Sequence, residues 1–218
     1  MAEYAKPLPK TIFDDYKLRL TAPKPDGQRR AATLRVTVLR NNPRIEVYTE
    51  VEGAPNSGRI TAPMDPQTFF ALIDLIKERI EGPADESRAV INKVGAPTDK
   101  KIVSKTIVGK DVQGRMYIAL QASGQTTVRF IFLPSDWHVL LHKDGTPYTE
   151  AELSIVYANA WCELFTQLVP MAMVAHYEEP LPRDQQSGGK TWGNKKPYNN
   201  PQSGTAKPAE TYDDDFPM

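Results

Sequence analysis

The strict alternation of apolar and polar side chains in the first third of the sequence limits the folds open to this chain more than any other feature. YKLRLT sets Tyr16, Leu18 and Leu20 on one face and Lys17, Arg19 and Thr21 on the other. TLRVTVLR turns Leu34, Val36 and Val38 inward and Thr33, Arg35 and Thr37 outward, and RIEVYTEV does the same with Ile45, Val47 and Val51 against Arg44, Glu46 and Tyr48. A sustained period of two is the signature of strands in a sheet with one buried and one solvated face. Asn41–Asn42–Pro43 supplies a tight turn between two of these strands. A short fourth strand is expected around Arg59 to Ala62.

A helix should follow. Asp65 is a good N-cap, Pro66 suits the first helical position, and Gly82–Pro83 stops the run. Phe69, Leu72, Ile73, Ile76 and Ile80 recur at helical spacing and form its buried face. From Pro83 to Asp99 the chain turns polar and irregular, which predicts a loop. Strands resume in KKIVSKTIVGK, RMYIALQA and TTVRFIFL, and PSDWHVLL predicts a short helical turn. Thr149 and Glu152 make a capping box for a second amphipathic helix. Its apolar stripe is expected to be Leu153, Val156, Tyr157, Ala160, Trp161, Leu164 and Leu168. That stripe either covers the chain's own sheet, the default, or meets a second copy in a homo-oligomer. The two halves, residues 15–82 and 100–169, have the same strand-turn-strand-helix order and suggest a weak internal repeat.

Composition narrows the setting. In 218 residues there is a single cysteine, Cys162, so no disulfide forms within one chain; this fits a reducing, cytoplasmic location. The apolar stretch from Leu168 to Ala175 is interrupted by Pro170 and predicts no membrane span. Net charge is zero, but Glu210, Asp213, Asp214 and Asp215 crowd the last nine residues; without these four the chain has 27 basic and 23 acidic residues, a net +4. Residues 1–14 look like a polar leader. Residues 180–209 are rich in Pro, Gly, Ser, Asn and Gln without an apolar period, which predicts a disordered linker.

Catalytic chemistry finds little support. Gly188 to Thr191 echoes the end of a phosphate-binding loop, but Asp184 stands where the motif needs its first glycine. His138 and His142 lack a third metal-ligating partner at suitable spacing, and Cys162 falls beside Trp161 in a predicted helix, where a packed thiol is expected. The expectation is a protein without enzymatic activity, metal or cofactor. The solvated sheet face is more informative: it collects Lys17, Arg19, Arg35, Arg44, Tyr48, Lys105, Arg115, Tyr117 and Arg129. Cations track phosphates and tyrosine rings stack on unpaired bases, so this set is the candidate contact surface for single-stranded DNA. Glu46 and Glu50 lie on the same face and favour an ordinary polar surface instead.

The C-terminal residues resemble a known design. Asp213, Asp214, Asp215, Phe216 and Pro217 follow in order the acidic tip of bacterial single-stranded DNA-binding proteins, with Met218 in place of the family's terminal phenylalanine. The resemblance implies that this tip, residues 210–218, binds replication or recombination proteins, in a setting such as bacteriophage replication within a host cytoplasm. In the body, GRITAPMDPQTFFAL and VRFIFLPSDWHVLL resemble the strand-to-helix junction of the Whirly family and of the human-type positive coactivator of transcription. That implies an α+β, β-rich fold of antiparallel sheets, one helix following each strand meander, in a duplicated unit over residues 15–179. The alternative is an OB-fold barrel with an added C-terminal helix. The expected function is binding and protection of single-stranded DNA. The alternatives are a transcription cofactor on melted promoter DNA and a protein-interaction module that binds no nucleic acid.

Overall fold

The computed structural model describes residues 11–24, 30–94, 100–134 and 137–179. The fold is α+β, with two antiparallel four-stranded sheets and two helices. The first sheet runs β1 (Leu20–Thr21), β2 (Thr33–Leu39), β3 (Asn42–Tyr48), β4 (Arg59–Pro63), and α1 (Pro66–Glu81) follows it. The second runs β5 (Ser87–Val94), β6 (Lys101–Lys110), β7 (Met116–Gln121), β8 (Val128–Ile131), and α2 (Glu150–Ala175) follows it. Each sheet is a simple meander in chain order, and neither closes on itself among the described residues, so the barrel alternative is not seen.

Period two builds β2, β3 and β4 largely as expected, although β3 ends at Tyr48 and leaves Val51 outside the sheet. Leu34, Val36, Ile45, Val47, Ile60 and Ala62 are buried on its inner face. The helix α1 is also as expected: Asp65 accepts a hydrogen bond from the Thr68 amide, Pro66 opens the first turn, and the five apolar residues named above are all buried. Its C-terminal carbonyls at Ile80 and Gly82 accept hydrogen bonds from Lys110 Nζ at 2.6 and 2.8 Å, which ties α1 to β6. The core joins both sheets and both helices.

Five expectations are corrected. YKLRLT is mostly not a strand: Tyr16–Leu18 is a 3-10 turn, only Leu20–Thr21 pairs with β2, and Tyr16 is exposed. The Asp15 carboxylate accepts from the Lys17 amide and draws the backbone out of the ladder. Nor is the whole leader peripheral, because Phe13 is buried and its ring stacks on Phe165 at 6.3 Å. The stretch read as a loop contains β5, paired along its length with β6. PSDWHVLL forms no helix among its described residues; an irregular segment with a Leu141–Pro147 bridge leads instead to α2.

The fifth correction concerns α2. The Thr149–Glu152 capping box forms, but the helix continues through Pro170 to Ala175. The buried residues are Ser154, Ala158, Trp161, Cys162, Phe165, Val169 and Ala172, and of the expected stripe only Trp161 is among them. Val156, Ala160 and Leu164 are exposed. Small side chains face the core because α2 lies close to its neighbours: Ser154 Oγ accepts from the Met116 amide at 2.8 Å, and Cys162 Sγ lies 3.9 Å from the Ile73 carbonyl oxygen. Burial pushes the Cys162 thiol up to about 12, so it is an unreactive packing group at neutral pH.

Candidate nucleic-acid interface

Pairing register decides which outward side chains meet. In the first sheet Arg35 lies opposite Glu46, Thr37 opposite Arg44 and Thr33 opposite Tyr48. On the other side of β3, Glu46 pairs with Thr61 and Tyr48 with Arg59. Arg35, Arg44, Arg59 and Tyr48 thus surround Glu46 on one solvent-side face. Arg35 donates to Glu46 Oε2 through Nε at 3.0 Å and Nη2 at 2.8 Å, and Nη2 also donates to Tyr48 Oη at 2.9 Å. Arg59 Nη2 donates to Glu46 Oε1, and Arg44 Nη1 stands 3.8 Å from the same oxygen.

These guanidiniums cover the carboxylate so fully that Glu46 is only 2% exposed, although it points away from the core. Burial alone would raise its pKa. The hydrogen bonds from Arg59 and Arg35, with their charges, outweigh that and hold the carboxyl below its ordinary 4.5. Asp14 takes the remaining Arg35 nitrogen at 3.1 Å. The first face therefore keeps its cations in a network of internal counter-charge.

On the second sheet, Gly109 pairs with Tyr117 and Tyr117 with Ile131, while Ile107 pairs with Ala119 and Ala119 with Arg129. Lys105, Tyr117 and Arg129 consequently share one face, but Tyr117, expected there as a solvated ring, is itself buried. The Arg129 guanidinium sits 4.1 Å from the centroid of the Tyr117 ring and covers it, so an incoming base meets the exposed cation before the ring. No strand residue on this face is a carboxylate. Gly109 serves the edge: a Cβ there would come within 2.5 Å of the Glu86 carbonyl oxygen, so glycine permits β5 to approach.

The expected residues therefore divide between two faces. Arg35, Arg44 and Tyr48 are brought together on the first, and Lys105, Tyr117 and Arg129 on the second. Three others lie apart. Lys17 is exposed on a turn, and Arg19 donates to the Asp14 carbonyl oxygen at 2.9 Å. Arg115 is held at the entry to β7 by Asp111 and Glu150, both at 2.8 Å, whose hydrogen bonds raise its pKa. Together with Ser87, Lys110, Tyr117 and Arg129, Arg115 and Asp111 line an open cavity of about 390 Å³. Arg59 was absent from the expected set; its alternation with Ile60 and its pairing to Tyr48 were the available signal.

His138 and His142 do not share a helical face. His142 stacks on Tyr148 at 3.9 Å, with Nε2 3.4 Å from Glu152. Among the described residues no helix is long and apolar enough to cross a membrane. Asp213, Asp214, Asp215, Phe216, Pro217 and Met218, like the linker, lie outside the described residues. No protein-family model matches the chain, and no curated protein matches it in sequence.

Proposed function

We propose that this chain binds single-stranded DNA without strong sequence preference, protects it during replication, recombination or repair, and recruits partners through its acidic C-terminal tip. The observation that carries this reading is a feature present once in each unit. A tyrosine on the third strand lies beside an arginine from the fourth on the outward face, Arg59 to Tyr48 at 5.8 Å and Arg129 to Tyr117 at 4.1 Å. Guanidiniums that both neutralise phosphate and offer a flat surface to a base suit unpaired nucleotides. The repeated meander-plus-helix order supports the likeness to Whirly-type single-strand binders, and the net +4 of the chain outside the tip supports a polyanion as ligand.

Binding of the full chain to labelled poly-dT, measured across a salt series, tests this directly. Salt-sensitive binding that tightens when residues 210–218 are removed is the expected result, since the tip competes with phosphate for the same cations. Absence of salt-sensitive binding by either form refutes the reading.

A further inference from the structure

We propose that the free end of the β5–β6 hairpin is a basic arm that holds the phosphates of a single strand lying on the second sheet; this rests on the nucleic-acid reading above. The hairpin outgrows its sheet. β5 and β6 pair as far as Val94 and Lys101, whereas β7 pairs with β6 only from Lys105 to Lys110. Residues 92–94 and 101–104 therefore form a two-stranded ribbon beyond the edge of β7, about 10–14 Å long at the usual rise per residue. A register shift between Asn92 and Lys93 marks its start, and such bulges bend and twist a ribbon away from its sheet.

Its charge is one-sided. Residues 87–110 contain six basic residues and one acid, Asp99. Two of the six are engaged: Arg88 with Glu78 and Glu86, and Lys110 with the α1 carbonyls. Lys93, Lys100, Lys101 and Lys105 form no ion pair among the described residues, and the first three are exposed. This is the opposite of the first sheet, where Glu46 and Asp14 engage the arginines. Lys105 pairs with Gln121 and lies on the same face as Tyr117; beyond it Lys93, opposite Ile102, and Lys101, opposite Val94, stand on successive rungs and so offer cations on both sides of the ribbon.

The chemistry favours nucleic acid over a protein ligand. Ile102 and Val103 are exposed on the ribbon, but Lys93, Lys101 and Lys105 flank them, whereas a protein-docking core is depleted of charge. The ribbon carries no aromatic ring, so it grips phosphates while bases meet the sheet. β5 is also an edge strand with backbone N–H groups unpaired on its outer side, further donors for phosphate oxygens.

The test is the triple variant Lys93→Ala, Lys100→Ala, Lys101→Ala in the full chain, with the triple arginine variant beside it. All three sites are exposed, so circular dichroism and Tm should match the parent. Three lost phosphate contacts lower the slope of log affinity for poly-dT against log salt by about 2, and weaken binding roughly tenfold or more at low salt. The arginine variant should restore the slope. If the parent binds poly-dT and the alanine variant keeps its slope, the arm is refuted while the function stands. Loss of duplex binding alone, or self-association without change in binding, also refutes it, the latter making the lysines guards of an exposed edge. If the parent shows no salt-sensitive binding, both readings fall.

Discussion

Around Glu46 three guanidiniums converge on one carboxylate, whereas around Tyr117 a single guanidinium and a lysine share a face whose strands carry no acid. The two sheets have the same strand order and similar outward cations, yet they use them differently. In the first, Coulomb attraction is satisfied internally, by Glu46 and Asp14 against three arginines. In the second, Lys105 and Arg129 form no ion pair among the described residues. Counting arginines on a solvated face therefore measures little until the charge directly across the ladder is known.

The sharpest way to break this contrast is to delete the central group of each face. Glu46→Ala should cost about 3 kcal/mol in urea unfolding, because three guanidiniums then crowd a site without counter-charge. It should also raise affinity for poly-dT by releasing them; unchanged affinity would mean that the first face takes no part. The pH dependence follows from the same carboxylate. Its folded pKa lies below the ordinary 4.5, so its contribution is complete above that value and is lost as pH falls through the folded pKa. Glu46→Gln should remove that part of the acid sensitivity, measured as a flatter Tm between pH 5 and pH 3 than in the parent, on the order of the usual acid window.

Smaller effects sharpen the comparison where the units are alike. Thr149 caps α2 as Asp65 caps α1, and Thr149→Ala should lower stability by about 1 kcal/mol in denaturant titration. Smallest in stability is Arg129→Ala, expected to cost at most about 1 kcal/mol because the pair with Tyr117 is a solvent-side cation–π contact. Its effect belongs to binding: affinity for poly-dT should fall and the Tyr117 ring should become accessible. A large loss of stability with unchanged binding would show that both faces are structural.

Much of the framework was legible because it follows local rules. Asp65, Pro66 and the spacing from Phe69 to Ile80 specify α1 without reference to anything distant. β5 was missed because it is a largely exposed edge strand: only Val90 and Asn92 are half-buried, so SRAVINKV offers little contrast between buried and solvated positions. The buried face of α2 was misjudged because the helix is apolar on more than one side. Only the closeness of β7 and α1 selects Ser154, Ala158 and Cys162 over Val156 and Leu164. The candidate site was half legible: Arg35, Arg44 and Tyr48 share one face and Lys105, Tyr117 and Arg129 another, but the division into two faces and the burial of Tyr117 were not foreseen.

The sequence by itself determined the period of the strands, the helix caps and the contrast between a mildly basic body and an acidic tip, since each depends on neighbours a few residues apart. The tertiary structure alone decided which cations are matched and which are available. Glu46 meets Arg35, Arg44 and Arg59 through the register of three strands and is desolvated by them, and electrostatic energy depends on those distances and that burial rather than on the count of charges.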